Sequence, residues 1–171
     1  MKQTITVFRC GSLDRPNHTP RIQSSFHAFD SQAPEGRILR ADAIFASPER
    51  TALTPWIEMK NRKKRKSEIS VTPVNKTHDQ DVLVRRLELK LDSSLYVYNA
   101  DIFGKIHVEA HDNYGRFNPN EVDASSYWES GIPLSEWKNS QFANTPAAES
   151  WEVLVSPHHI LRVAFEDKDP M

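Results

Sequence analysis

The chain has 171 residues, 38% of them hydrophobic and 26% charged, with a formal net charge of -1 at pH 7. That is enough apolar material for one ordinary domain with a sizeable core, and a second domain is not expected. The near-neutral balance excludes global attraction to nucleic acid or membranes, and the single cysteine, Cys10, excludes an intrachain disulfide or a cysteine-rich zinc site.

Thr4 to Cys10 alternates and is β-branched over most of its length, which predicts a first strand ended by Gly11-Ser12. Arg9 therefore stands near a strand end, where a guanidinium could fork onto a phosphate and the Gly11 backbone could approach the same ligand. The plainer alternative is a surface arginine paired with an acid. Residues 17 to 37 read as an irregular connection with one helical turn near Ile22 to Phe26, a length that in compact domains usually covers a site or binds something. Ala43 to Pro48 is a short apolar strand stopped by proline, after which Ser47 is placed to cap a helix beginning at Glu49.

Arg62 to Lys66 is a run of five cations. It lies in a segment, about 59 to 81, that reads as an insertion between core strands. The run is either a solvated loop or a local patch in which Lys63, Lys64, Arg65 and Lys66 meet nucleic acid or another acidic partner. No aromatic residues are interleaved there for base stacking. Val82 to Leu91 fits a strand or a short amphipathic helix, Ser94 to Ala100 is a clearer strand, and Ile102 to Val108 reads as a turn and a return segment. His107 and His111 are spaced to meet on a helix, but their glycine-broken surroundings do not look helical, so no metal site is expected. Trp128 and Trp137 are core residues or the wall of a ligand cleft. Glu149 to Val163 contains two short apolar runs separated by Ser156-Pro157-His158-His159, which predicts a β-hairpin. Glu152 stands where its first strand begins, a place where a carboxylate is held rigidly at a cleft rim. Periodicity alone reads it as one more solvated acid.

Three stretches carry a resemblance. Phe8-Arg9-Cys10-Gly11-Ser12-Leu13-Asp14-Arg15-Pro16 is similar to the opening of cholera-toxin-like and pierisin-like ADP-ribosyltransferases. Phe45-Ala46-Ser47 resembles their aromatic-Ser-Thr-Ser strand, although Ala46-Ser47-Pro48 leaves only one hydroxyl, and Tyr96-Val97-Tyr98 is similar to the strand that follows. Ser150-Trp151-Glu152-Val153-Leu154-Val155-Ser156-Pro157, then Ile160-Leu161-Arg162-Val163, looks like the catalytic-glutamate strand and its successor.

The resemblance implies an α+β domain spanning 1-171, with two small antiparallel sheets packed around an NAD+ cleft and flanking helices. It implies cleavage of the nicotinamide-ribose bond of NAD+ and transfer of ADP-ribose to an acceptor or to water. Arg9, with Gly11 beside it, would clamp the phosphate side, Ser47 would orient Glu152, and Glu152 would hold the ribose hydroxyl. Ser150 departs from the Glu or Gln that many members carry two residues before the catalytic acid, which leaves the acceptor open among a nucleic-acid base, a small molecule and another side chain. Glu129 is the rival for the catalytic carboxylate. A competing reading is a non-catalytic binding domain that uses the 62-66 run, and a third is nucleophilic chemistry at Cys10. The expected location is cytoplasmic, with delivery as an effector or toxin left open. The start of the chain has no signal-peptide core and no apolar stretch approaches the roughly 20 residues of a spanning helix.

Overall fold

The computed structural model describes residues 3-11, 13, 20-58 and 84-165. The segment 59-81 that the sequence reads as an insertion, with Lys63, Lys64, Arg65 and Lys66, lies outside these, as do Ser12, Arg15, Pro16 and the tail after Phe165.

The fold is mixed α+β and contains two small antiparallel sheets. One sheet has three strands in the order β1 (Thr4–Cys10), β3 (Val84–Lys90), β7 (Ile160–Phe165). The other has the order β2 (Ile44–Ala46), β6 (Trp151–Val155), β4 (Tyr96–Asn99), β5 (Ile132–Pro133). They meet at one isolated bridge, where the Phe8 amide donates to the Ser47 carbonyl at 2.9 Å and the Ser47 amide donates back at 2.6 Å.

Period-two patterning sorts the side chains of both sheets. Val7, Leu87 and Leu89 from the first sheet join Val97, Val153 and Val155 from the second in one apolar core, sealed by Leu95, Trp137 and Trp151. The opposite face of the second sheet, with Tyr98 and Leu154, packs on α1 (Pro20–Asp30), α2 (Ala100–Glu109) and α3 (Ser125–Glu129) through Phe29, Phe103, Tyr127 and Trp128. Both tryptophans weighed between core and cleft are buried; their indole N–H groups donate to the Phe29 carbonyl and to Glu49.

Several expectations change. The connection at 17-37 contains α1, an eleven-residue helix whose Phe26, Ala28 and Phe29 are buried. Ile102 to Val108 belongs to α2. Its Asn99 cap accepts from the Asp101 amide at 2.9 Å, Ile102, Phe103 and Ile106 supply the apolar stripe, and Gly104 stands in open space. His107 and His111 are therefore at helical spacing after all, with ring centroids 4.8 Å apart. Within the stretch at 82-91, Val84–Lys90 is a strand. The β6 and β7 strands form no hairpin: β6 pairs with β2 and β4 while β7 pairs with β3. Pro157 opens a 3-10 turn, and the buried His159 fastens that turn to the β3-β4 connection, which turns the chain from one sheet into the other.

Candidate active site

Glu152 is the second residue of β6 and pairs in register with Tyr98, so its side chain leaves the sheet on the helical side. There the Arg40 guanidinium, only 4% exposed, forms an ion pair with Oε1, and the Tyr127 hydroxyl donates to the same oxygen at 3.0 Å. Arg40 also donates to the Tyr127 oxygen. The Glu152 side chain is 16% exposed, and both contacts fall on Oε1. Oε2 has no partner among the described residues and is not closed off from solvent.

Aromatic rings complete the enclosure of Arg40. Its guanidinium carbon lies 3.7 Å from the Phe103 ring centre, 4.8 Å from Phe45, 4.9 Å from Phe26 and 5.0 Å from Tyr127. Burial works against this charge, but the Glu152 carboxylate and the hydrogen-bonded Tyr127 outweigh it and hold the guanidinium above its ordinary range. Burial first, then the neighbouring Glu152 charge, pushes the Tyr127 phenol well above its usual value, which keeps it protonated as a donor. Beside this cluster Tyr98 stacks on Tyr127 at 5.0 Å, and Arg37 lies 3.5 Å over Tyr96 while donating to the Tyr98 hydroxyl at 3.0 Å.

Arg9, half-buried, donates to the Phe45 carbonyl at 2.6 Å. Phe45 pairs with Leu154, two residues along β6 from Glu152, and its ring is one of those around Arg40. Arg9 and Glu152 are thus joined through Phe45 and Arg40; no direct bond between them is described. Ser47 is buried and follows the last residue pair of β2 with β6, so the register points it towards Glu152. Its hydroxyl instead donates to the Glu49 carbonyl at 2.8 Å and accepts from the Glu49 amide at 3.2 Å. The expected orienting bond to Glu152 is absent, because a serine before proline at a strand end satisfies the next turn first. Arg40 and Tyr127 hold the carboxylate in its place. Gly11 is buried at φ 119°, a conformation that favours glycine, and its carbonyl accepts from Arg85. Ser150 ends the 3-10 turn Pro146–Ser150 just before β6, and Glu129 is exposed at the end of α3.

Sequence reasoning missed Arg40 and Tyr127. Tyr127 sits beside Trp128, one of the two tryptophans weighed for core or cleft, whereas Arg40 meets a carboxylate 112 residues further on, a pairing no local pattern encodes.

A second polar cluster brings together Ser94, His159 and Asp92. The His159 Nε2 lies 2.7 Å from the Asp92 carboxylate and 3.2 Å from the Ser94 hydroxyl. A nucleophilic relay needs the acid on one imidazole nitrogen and the hydroxyl on the other. Here both share Nε2, so the cluster ties the connection down and activates nothing. Among the described residues no group of three or more His, Cys, Asp or Glu side chains is arranged to hold a metal ion, and no helix is long and apolar enough to cross a membrane. Two surface cavities, of about 400 Å³ beside Thr51, Asn144 and Glu149 and about 280 Å³ beside Thr6, Arg86 and Arg162, are lined by neither Arg9, Ser47 nor Glu152. Compared with models of protein families, with curated proteins and with solved structures, the chain finds no match.

Proposed function

We propose that the domain is a mono-ADP-ribosyltransferase that takes NAD+ at the junction of its two sheets. The observation that carries the reading is the divided Glu152 carboxylate: Oε1 is fixed by Arg40 and Tyr127, and Oε2 is left to a ligand. A carboxylate anchored on a strand and ion-paired with a buried guanidinium is a fixed negative charge, which an oxocarbenium-like transition state requires. The sequence resemblance and the α+β architecture with two small antiparallel sheets support the same reading.

In the proposed reaction the bond between the ribose anomeric carbon and the nicotinamide nitrogen breaks, and its electron pair leaves with neutral nicotinamide. Oε2 of Glu152 accepts a hydrogen bond from a ribose hydroxyl and stabilises the cationic sugar. An acceptor nucleophile or water then bonds to the anomeric carbon and loses its proton. Arg9, after exchanging the Phe45 carbonyl for a diphosphate oxygen, clamps the other end of the dinucleotide, where a guanidinium fork matches phosphate geometry. Arg40 and Tyr127 act through Glu152 as positioning residues.

Nicotinamide release from NAD+ tests this without knowledge of the acceptor. The wild-type chain is expected to release nicotinamide, and Glu152→Gln to release it about 100-fold more slowly or worse, with a thermal melt confirming that the variant is folded. Failure of the folded wild type to release nicotinamide, or full activity in Glu152→Gln, overturns the proposal. Loss in Glu129→Gln instead would move the acid to α3.

A further inference from the structure

The outer face of the three-stranded sheet has a character the catalytic reading does not use. Val7, Leu87 and Leu89 point into the core, so alternation turns Thr6, Phe8, Arg86, Glu88, Arg162 and Ala164 outward. Register aligns them in two cross-strand rows, Thr6 with Glu88 and Arg162, and Phe8 with Arg86 and Ala164. Thr6, Arg86, Glu88, Arg162 and Ala164 line the groove of about 280 Å³. Lys90 lies one row further along the same face, opposite Thr4.

Arg86 and Arg162 are exposed, and neither has a hydrogen-bond or ion-pair partner among the described residues. Glu88 stands opposite Arg162 in the register yet forms no ion pair with it or with Arg86. The face therefore carries an excess of cations, Arg86, Arg162 and Lys90 against Glu88, on a protein whose net charge is -1. The two guanidinium groups are diagonal neighbours on adjacent strands, with backbones about 7–8 Å apart.

We propose that this face binds the backbone of single-stranded nucleic acid. Arg86 and Arg162 fork onto adjacent phosphates, the Thr6 hydroxyl donates to a phosphate oxygen, and Phe8, partly exposed in the row of Arg86, offers a ring edge to a base. A pleated three-stranded face suits a single strand, whose bases lie flat on a sheet; it offers no helix or ribbon to enter a duplex groove.

The test uses the full chain without NAD+, so its outcome and that of the nicotinamide assay are separable. Anisotropy titrations with labelled oligothymidylate and oligouridylate are run over a range of salt. They use a background in which Arg62, Lys63, Lys64, Arg65 and Lys66 are replaced by serine, to remove the other basic stretch. Binding is expected to persist in that background. Arg86→Ala and Arg162→Ala, both at exposed strand positions, are each expected to weaken it and to lower the slope of log affinity against log salt by about 0.7. Glu88→Gln is expected to tighten it. No binding in that background, unchanged affinity in the Arg86→Ala/Arg162→Ala double variant with an unchanged melt, or equal displacement by a polyglutamate peptide overturns the proposal.

Discussion

Arg40 gives up the hydration of a guanidinium for one carboxylate, one phenol and a surround of aromatic rings. Removing one member of such a pair leaves the other partly buried and uncompensated, so Arg40→Met is expected to cost about 3–5 kcal/mol in urea unfolding. Adding Glu152→Leu should recover much of that loss, since a matched apolar pair removes the stranded charge. Asp92 supplies a pH signature. Burial acts to raise its pKa, but hydrogen bonds from the Ser94 side chain and amide and from His159 outweigh it and hold it below the ordinary 3.8. The tie therefore contributes fully above that value and is lost as the pH falls through the lower folded-state value. Stability curves on either side of pH 3.8 should accordingly show a steeper acid limb in wild type than in Asp92→Asn. The strand-start position of Glu152 and the turn-capping habit of Ser47 were legible from their immediate neighbours. Arg40 was not, because its meaning depends on a partner that arrives only in the folded chain.

Among the elements, the strands at 4-10, 44-46 and 96-99 were readable because alternation and β-branching are local properties. The α1 and α2 helices were hidden by composition. Serine and histidine dilute the stripe of α1, and Gly104 interrupts α2, yet packing of Phe26, Phe29 and Phe103 on one another and on Phe45, Tyr98 and Leu154 of the sheet overrides both. Loss of the α2 cap in Asn99→Ala is expected to cost about 1 kcal/mol. Gly131 shows the opposite case, in which a glycine is demanded by crowding. A Cβ there would lie 2.9 Å from the Tyr98 ring, 3.0 Å from the Arg37 guanidinium and 3.2 Å from the Trp128 carbonyl. Arg37 can swing away, but a buried tyrosine ring and a backbone oxygen cannot, so Gly131→Ala is expected to destabilise by about 1–3 kcal/mol. A thermal melt measures both variants.

At the level of the whole molecule, the α+β class and the two antiparallel sheets matched expectation, whereas the strand order did not follow from neighbouring letters. The β6 and β7 strands are adjacent in the chain and satisfy every local rule for a hairpin, yet they belong to different sheets. The rule failed because the strand partners that compete for each of them come from far away: β3 for β7, and β2 with β4 for β6. What the letters did encode was which residues turn inward, and the shared core of Val7, Leu87, Val97 and Val153 follows that code.

The chain visits the three-stranded sheet, leaves for the other, returns, leaves again and finishes where it began. Neither sheet can be cut out as a contiguous piece, and a polypeptide ending before β3 would hold β1 with its long neighbour missing. Separately produced 1-83 and 84-171 halves should each lack a cooperative melt and recover one only when mixed. Assembly must wait on distant encounters, which makes for slow, all-or-none acquisition of the native state.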